Sequence, residues 1–343
     1  MNRRILLLLV LVITSSVLVW AEGRQESALS YPGIEGRIKV YLSGPADMLD
    51  KLEGLFEEER GDVLEFVHMG CGPLRQRIWA EMESGMINAD VLWGSDPLIY
   101  MALNERGKLE EYRPKGYENL KEEFQTEAGY TYVNERYGVV IYNSDSVSGK
   151  PSAFRDLLKE EYKGNICHAD PAFSSTALAL VSGLWNLDGE NGVFYGRLRE
   201  NGLFLTKTNS DVPSKIQEGE YLAGIAPHDA VLRLQKKAKK DGYPTPLAIC
   251  WPVEGAVAIQ RPIAISKNEN RPQINEEIAE AFVDFMISKK AQNITNQFGF
   301  VSVRKDLPLP SGIPEDLKTI LPDWKHLGET QNIINEDFKK FFY

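Results

Sequence analysis

The chain has 343 residues, of which 26% are charged, and carries a formal net charge of −10. That acidic balance excludes a nucleic-acid partner, because phosphate backbones require a basic face. The three cysteines, Cys71, Cys167 and Cys250, are odd in number and lack metal-ligand spacing, which excludes a disulfide scaffold and a cysteine metal site. A Cys167–Cys250 bridge stays open, with buried free thiols the expected state.

Residues 1–21 read as a cleavable export leader. A basic start, Asn2-Arg3-Arg4, precedes an apolar run from Ile5 to Ile13 and a closing stretch, Val17 to Ala21, with cleavage expected after Ala21. No cysteine lies near that site, so no lipid anchor is expected. Loss of Arg3 and Arg4 takes the 39 basic residues to 37, and 37 − 49 = −12. Beyond the leader no run approaches the roughly 20 apolar residues of a membrane span. The length remaining suits two lobes.

Strand and helix patterns then alternate. Arg37 to Leu42 reads as a strand, Ser43-Gly44-Pro45 as its turn, and Asp47 to Arg60 as a helix with Met48, Leu49, Leu52 and Phe56 on one face. Val63 to Met69 is a strand, Gly70-Cys71-Gly72-Pro73 a turn, and Leu74 to Glu83 a helix. Ala89 to Trp93 is a strand that ends in Gly94-Ser95-Asp96, before a helix over Pro97 to Glu105. This is the pattern of an α/β fold whose ligands bind beyond the carboxyl ends of its strands. Tyr130 to Asn143 reads as two extended segments with Asn134-Glu135 between them. A first crossing between lobes falls near Val139 to Ser144, and a helix is predicted over Pro151 to Tyr162.

The stretch Asp170 to Leu180 follows a short strand, Gly164 to Ala169, and opens a helix. Ser174, Ser175 and Thr176 stand where that helix starts. A helix start carries unpaired N–H groups and partial positive charge, so hydroxyls there suit an anion. Plain capping by Ser174 or Ser175 is the competing reading. Further on, Asn191 to Asn201 and Ser210 to Gly219 read as helices around the strand Phe204 to Thr206. The strand Tyr221 to Ala226 ends in Pro227-His228-Asp229, and the helix Ala230 to Lys240 is basic and solvated. Leu247 to Trp251 is a strand leading to Pro252-Val253-Glu254-Gly255, and Ala256 to Ile265 is a second crossing. Helices over Asn275 to Ile287, Lys289 to Phe298 and Ile333 to Phe342 close the chain.

In this order the segments resemble a known family. They are the glycine turn with Leu74 to Glu81, Ala89 to Gly94, Ile141-Tyr142-Asn143, Ala169-Asp170-Pro171 with its hydroxyls, Pro252 to Gly255, and Gln297 to Arg304. The resemblance is to substrate-binding proteins of ABC importers, of the ferric-iron, putrescine and hexose-phosphate type. It implies a two-lobed type II periplasmic binding protein fold, with mixed sheets flanked by helices and a ligand cleft at the hinge. The expected division is 37–139 plus 266–343 for the first lobe and 140–265 for the second. The implied partners are a small anionic ligand and the ABC permease and ATPase subunits, for a monomeric periplasmic receptor without a cofactor.

Iron-binding members typically carry two adjacent tyrosines after the strand that follows a Gly-Glu pair. Here Gly219-Glu220 and its strand lead to His228-Asp229 instead. That pair, with Glu254, resembles hexose-phosphate-binding members, in which such residues hold sugar hydroxyls. Carboxylates and a neutral imidazole are suited to that task. The expected ligand residues are therefore Ser43, Cys71, Gly72, Ser95, Ser174, Ser175, Thr176, His228, Asp229 and Glu254. Trp93 is weighed as a stacking surface against a core role, while His68, His168, Arg75 and Arg77 are expected to be structural or exposed. Ferric ion and a phosphonate stand as alternatives. A hydrolase is disfavoured by the lack of a Gly-x-Ser-x-Gly elbow and a His-Glu-x-x-His motif.

Overall fold

The computed structural model describes residues 36–189 and 192–343. The export leader expected at residues 1–21 lies outside the described residues.

The first half of the fold begins with β1 (Ile38–Leu42), α1 (Ala46–Arg60), β2 (Leu64–His68), α2 (Cys71–Glu83), β3 (Val91–Trp93) and α3 (Pro97–Glu105). Strand β1 lies between β2 and β3, parallel to both. The second half comprises β5 (Ile166–Ala169), α4 (Ser175–Gly183), α5 (Val193–Glu200), β6 (Phe204–Thr206), α6 (Asp211–Gln217), β7 (Ala223–Pro227) and α7 (His228–Asp241). Here β5 is parallel to both β6 and β7.

Two long strands join the halves. They are β4 (Thr131–Asn143) and β9 (Ala256–Ile265), paired antiparallel over most of their length. The main path of the sheet runs β2-β1-β3-β9-β4-β7-β5-β6. Every residue of β9 is buried, and so is all of β4 except Arg136. Strands covered on both faces read as apolar runs, as β9 does, whereas β4 is apolar only over Val139 to Tyr142 and buries Asn134 and Glu135 in its first half. Strand β8 (Leu247–Cys250) adds to β4. Helices α8 (Gln273–Ile287) and α9 (Lys289–Gln297) then return to the first half, and β10 (Val301–Ser302) and β11 (Thr319–Ile320) pair with β4 and β9.

Each half has its own core on either face of the sheet. In the first, Met48, Leu49, Leu52 and Phe56 of α1 pack with Phe282 and Met286 of α8, while Leu74 and Ile78 of α2 pack with Ile99 and Leu103 of α3 on the other face. In the second, Leu180, Phe194, Tyr195 and Leu198 form one core, and Val212, Ile216 and Val231 another.

Four readings of the sequence change. Tyr130 to Asn143 is one strand with a register shift between Tyr132 and Asn134, not two segments. The helix expected over Pro151 to Tyr162 is two short 3-10 turns, Phe154–Leu158 and Glu160–Tyr162. The last helix, α10 (Trp324–Phe342), starts a good two turns earlier than expected, where the Asp323 carboxylate accepts from the His326 N–H at 3.0 Å. It also departs from the first lobe to which 266–343 was expected to belong. Trp324, Leu327, Ile334 and Phe338 sit in the core of the second half, together with Leu98 of α3. Cys71, Cys167 and Cys250 are all free thiols.

Candidate functional site

The carboxyl ends of β1, β2, β6 and β7, with the loop after β5, converge on a cleft of ≈ 510 Å³. Ser43 to Pro45, His68 to Pro73 and Gln76 line one side. Phe173, Ser174, Thr176, the loop 207–210, Asp229, Ala230 and Arg233 line the other, with Arg136 and Phe300 completing the wall. Helices α1, α2, α4 and α7 all start at this cleft. Pro45, Gly70 and Pro227, which precede three of them, give no side-chain cap. Their first-turn N–H groups and partial positive charges therefore favour an anion.

The structure brings together six of the ten residues singled out by sequence: Ser43, Cys71, Gly72, Ser174, Thr176 and Asp229. Cys71 Sγ donates to Ser43 Oγ at 3.4 Å, and Thr176 Oγ1 donates to Cys71 Sγ at 3.8 Å across the cleft. Ser174 is the N-cap of α4: its Oγ accepts from the Ala177 N–H at 3.1 Å and from Asn209 Nδ2 at 2.6 Å. Capping and cleft lining thus coincide in one residue. Gly72 is required by contact. A Cβ there would lie 2.1 Å from the Phe173 carbonyl oxygen.

Four residues are placed elsewhere, and the sugar-hydroxyl cluster expected from His228, Asp229 and Glu254 is not assembled. His228 is fully buried and bridges elements. Its Nδ1 accepts from the Tyr137 N–H at 2.9 Å and its Nε2 donates to the Gly299 carbonyl at 2.8 Å. Burial lowers its pKa, consistent with a neutral ring in this role. Glu254 accepts from the N–H groups of Phe154 and Arg155 at 3.1 and 3.2 Å, and Arg155 Nη1 lies 3.5 Å from it. It holds the first 3-10 turn, away from the cleft lining. Ser175 donates to the Cys71 carbonyl at 3.4 Å. Ser95 is buried behind the wall, and its hydroxyl has no partner among the described residues. Trp93 is a core residue with the Arg261 guanidinium 4.9 Å from its ring centroid, so it offers no face to a ligand.

Asp229 carries a different role from the one its sequence position suggests. Its carboxylate is fully buried, 2.6 Å from Arg136 Nη2, and Arg233 donates to its other oxygen. Burial pushes this carboxyl up, but the two guanidiniums override burial and hold it well below the usual carboxylate range. Three cationic side chains, Arg136, Lys207 and Arg233, thus meet one engaged carboxylate in the cleft of an acidic protein. A neighbouring groove of ≈ 510 Å³ shares Ser210, Ala230 and Arg233 with the cleft and adds Lys51, Lys236, Lys237 and Lys240 against Asp47. The lysine-bearing second half of the helix 228–241 is solvated, as its sequence suggests, but the first turn is buried and the lysines make a basic approach to the site.

Arg136, Arg233, Lys207 and Asn209 were not singled out from the sequence. One signal was present: Arg261 stands inside the apolar run Ala256 to Ile265, where a charge needs a specific reason, whereas Arg136 follows Asn134-Glu135 and carried no such signal. Arg75 and Arg77, expected as exposed helix charges, pair with Asp96 at 3.3 Å and Glu81 at 3.0 Å. His168 is fully buried, whereas His68, expected to be structural, lines the cleft.

The two-lobed α/β fold thus opens a cationic cleft between strand ends. The profile of the bacterial extracellular solute-binding protein family matches residues 88–330, and the chain belongs to that family. A protein of Haemophilus influenzae described as uncharacterized is 26% identical over 318 residues, 87% of each chain. Among solved structures, the periplasmic binding protein AfuA of Actinobacillus pleuropneumoniae with fructose-6-phosphate bound is 22% identical. It covers 89% of this chain and 98% of its own, with a TM-score of 0.75. Iron-bound HitA of Pseudomonas aeruginosa is 18% identical over 88% of this chain and 99% of its own, with a TM-score of 0.71. The ferric binding protein of Campylobacter jejuni is 19% identical over 89% and 99%, with a TM-score of 0.73. At these identities the likeness establishes the type II periplasmic binding protein fold.

Proposed function

We propose that the protein is a periplasmic receptor that captures a small phosphorylated ligand of hexose-phosphate size and delivers it to an ABC permease. The observation that carries this reading is the cleft's charge: Arg136, Arg233 and Lys207 beside one carboxylate, Asp229, that is already engaged. Four helix N-termini add to that field. A cleft of ≈ 510 Å³ falls within the range of small-molecule sites and has room for more than a bare anion. Gln76, Thr208, Asn209 and Ser210 supply donors and acceptors for a hydroxylated remainder.

The same features weigh against ferric ion. Arginines repel a trivalent cation, and among the described residues no tyrosine lines the cleft and no cluster of metal-ligating side chains occurs.

Thermal unfolding in the presence of fructose 6-phosphate, fructose, inorganic phosphate, an aminoalkyl phosphonate and ferric citrate tests the proposal. A ligand at a hundredfold excess over Kd stabilises the fold by about 2.7 kcal/mol. The expected result is a shift with fructose 6-phosphate and none with fructose. A shift with ferric citrate alone rejects the ligand class. Release of inorganic phosphate during incubation rejects a receptor in favour of a hydrolase.

A further inference from the structure

Arg261 of β9 is 1% exposed and stands directly behind the cleft wall. Its Nη2 donates to the Ser43 carbonyl at 2.5 Å, while its Nε has no partner among the described residues. No carboxylate lies within ion-pair distance of it among those residues. Instead its guanidinium is 4.9 Å from the Trp93 ring centroid and 4.8 Å from that of Phe300. Arg136 stands 5.4 Å from the same Phe300 ring. Ser43, Phe300 and Arg136 all line the cleft.

A buried guanidinium without a counter-charge is costly, because the interior cannot replace its hydration. Burial and the nearby Arg136 both lower its pKa, to about 10, which still leaves it charged at neutral pH. The neighbouring carboxylate, Asp229, is shared by Arg136 and Arg233. Cys71 and Tyr100, the other titratable groups that act on Arg261, bring no charge: Cys71 Sγ donates to Ser43 Oγ as a thiol, and burial raises the Tyr100 phenol. His228 is held neutral between two backbone groups. Three guanidiniums against one carboxylate leave two positive charges in a region of low dielectric.

We propose that this surplus, set by Arg261, makes the cleft select a dianion over a monoanion of the same shape, with the bound ligand acting as the missing counter-charge. The proposal rests on the reading of the cleft as a phosphoryl-ligand site and names what that site discriminates. Arg261 acts through the wall, by its field and by its hold on the Ser43 carbonyl, as a positioning residue. A phosphate monoester is dianionic at pH 8, and a sulfate monoester of the same sugar is a monoanion of nearly equal size.

Calorimetric titration at pH 8 with fructose 6-phosphate and fructose 6-sulfate separates the outcomes. The wild-type protein is expected to prefer the phosphate by about 100-fold. Arg261→Met keeps the apolar contacts with Trp93 and Phe300 but removes the charge. It should weaken phosphate-ester binding about 30-fold and shrink the preference to a few-fold. The ligand-free unfolding midpoint should change little, because loss of the uncompensated buried charge offsets loss of the bond to the Ser43 carbonyl. Arg261→Lys should retain most of the preference, and serves if the methionine variant does not fold. Equal binding of the two esters by the wild type, or an unchanged preference in Arg261→Met, overturns the proposal while leaving the phosphoryl-ligand reading intact. Binding of neither ester rejects that reading itself.

Discussion

Gly72→Ala separates what the cleft needs from what the fold needs. Gly72 is the second residue of α2, in helical backbone, and Phe173 lies on the opposite side of the cleft just before α4. A Cβ on Gly72 would stand 2.1 Å from the Phe173 carbonyl oxygen and 2.8 Å from its carbonyl carbon. Ordinary C···O contacts begin near about 3.3 Å, so the two walls must part by roughly 1 Å. Neither side can relieve the clash by a side-chain rotation, because both partners are backbone. Within α2, alanine is favoured over glycine by about 1 kcal/mol, so the ligand-free fold should be unharmed or slightly more stable. A ligand bonded to both walls would be stretched beyond hydrogen-bond reach on one of them. Loss of one or two charge-assisted bonds amounts to about 3 kcal/mol, or roughly 100-fold in affinity. Calorimetry with the organophosphate that gives the largest thermal shift measures the affinity, and thermal unfolding without ligand measures the fold. An affinity within twofold of wild type would refute the reasoning, because the two walls would then not need to meet.

Other expectations follow from individual groups. Burial pushes the Glu135 carboxyl up from 4.5 to about 7. The folded state then binds more protons than the unfolded one between those values, so stability falls as pH rises through that window, by roughly 3 kcal/mol at most. Glu135→Gln should flatten the slope in urea titrations from pH 4.5 to 8, and an unchanged slope assigns it to other groups. Glu254→Ala removes the acceptor for the N–H groups of Phe154 and Arg155 and should cost about 2 kcal/mol of stability, with ligand affinity unaltered. A large loss of affinity in that variant would return Glu254 to the ligand site. Lys237→Glu combined with Lys240→Glu reverses charge in the groove beside the cleft. Stopped-flow binding should show association slowed several-fold at low salt and little changed at high salt, with dissociation unaffected, as expected for rim charges. A slowed association that persists at high salt would point to a contact rather than a field.

Much of the architecture was readable along the chain because its signals are local. Alternating periodicity marked β1 to α3, and the glycine turn and hydroxyl run marked two of the helix starts at the cleft. Short-range chemistry misled where two roles look alike. His228 at the end of β7 reads equally well as a ligand or as a bridge between Tyr137 and Gly299, and only the approach of 137 and 299 to one ring decides between them. Glu254 beside a glycine looked like a group reaching into a cleft, but its partners are backbone groups a hundred residues away.

The sequence by itself determined the α/β pattern, the apolar second crossing and the placing of hydroxyls and glycines at strand ends, because periodicity and turn chemistry act over a few residues. The tertiary structure alone decided the charge of the site. Arg136 comes from β4, Asp229 and Arg233 from α7 and Arg261 from β9, and their balance exists only once the sheet brings them around Phe300. Charges interact through space according to distance and burial, and neither quantity is written in the order of residues along the chain.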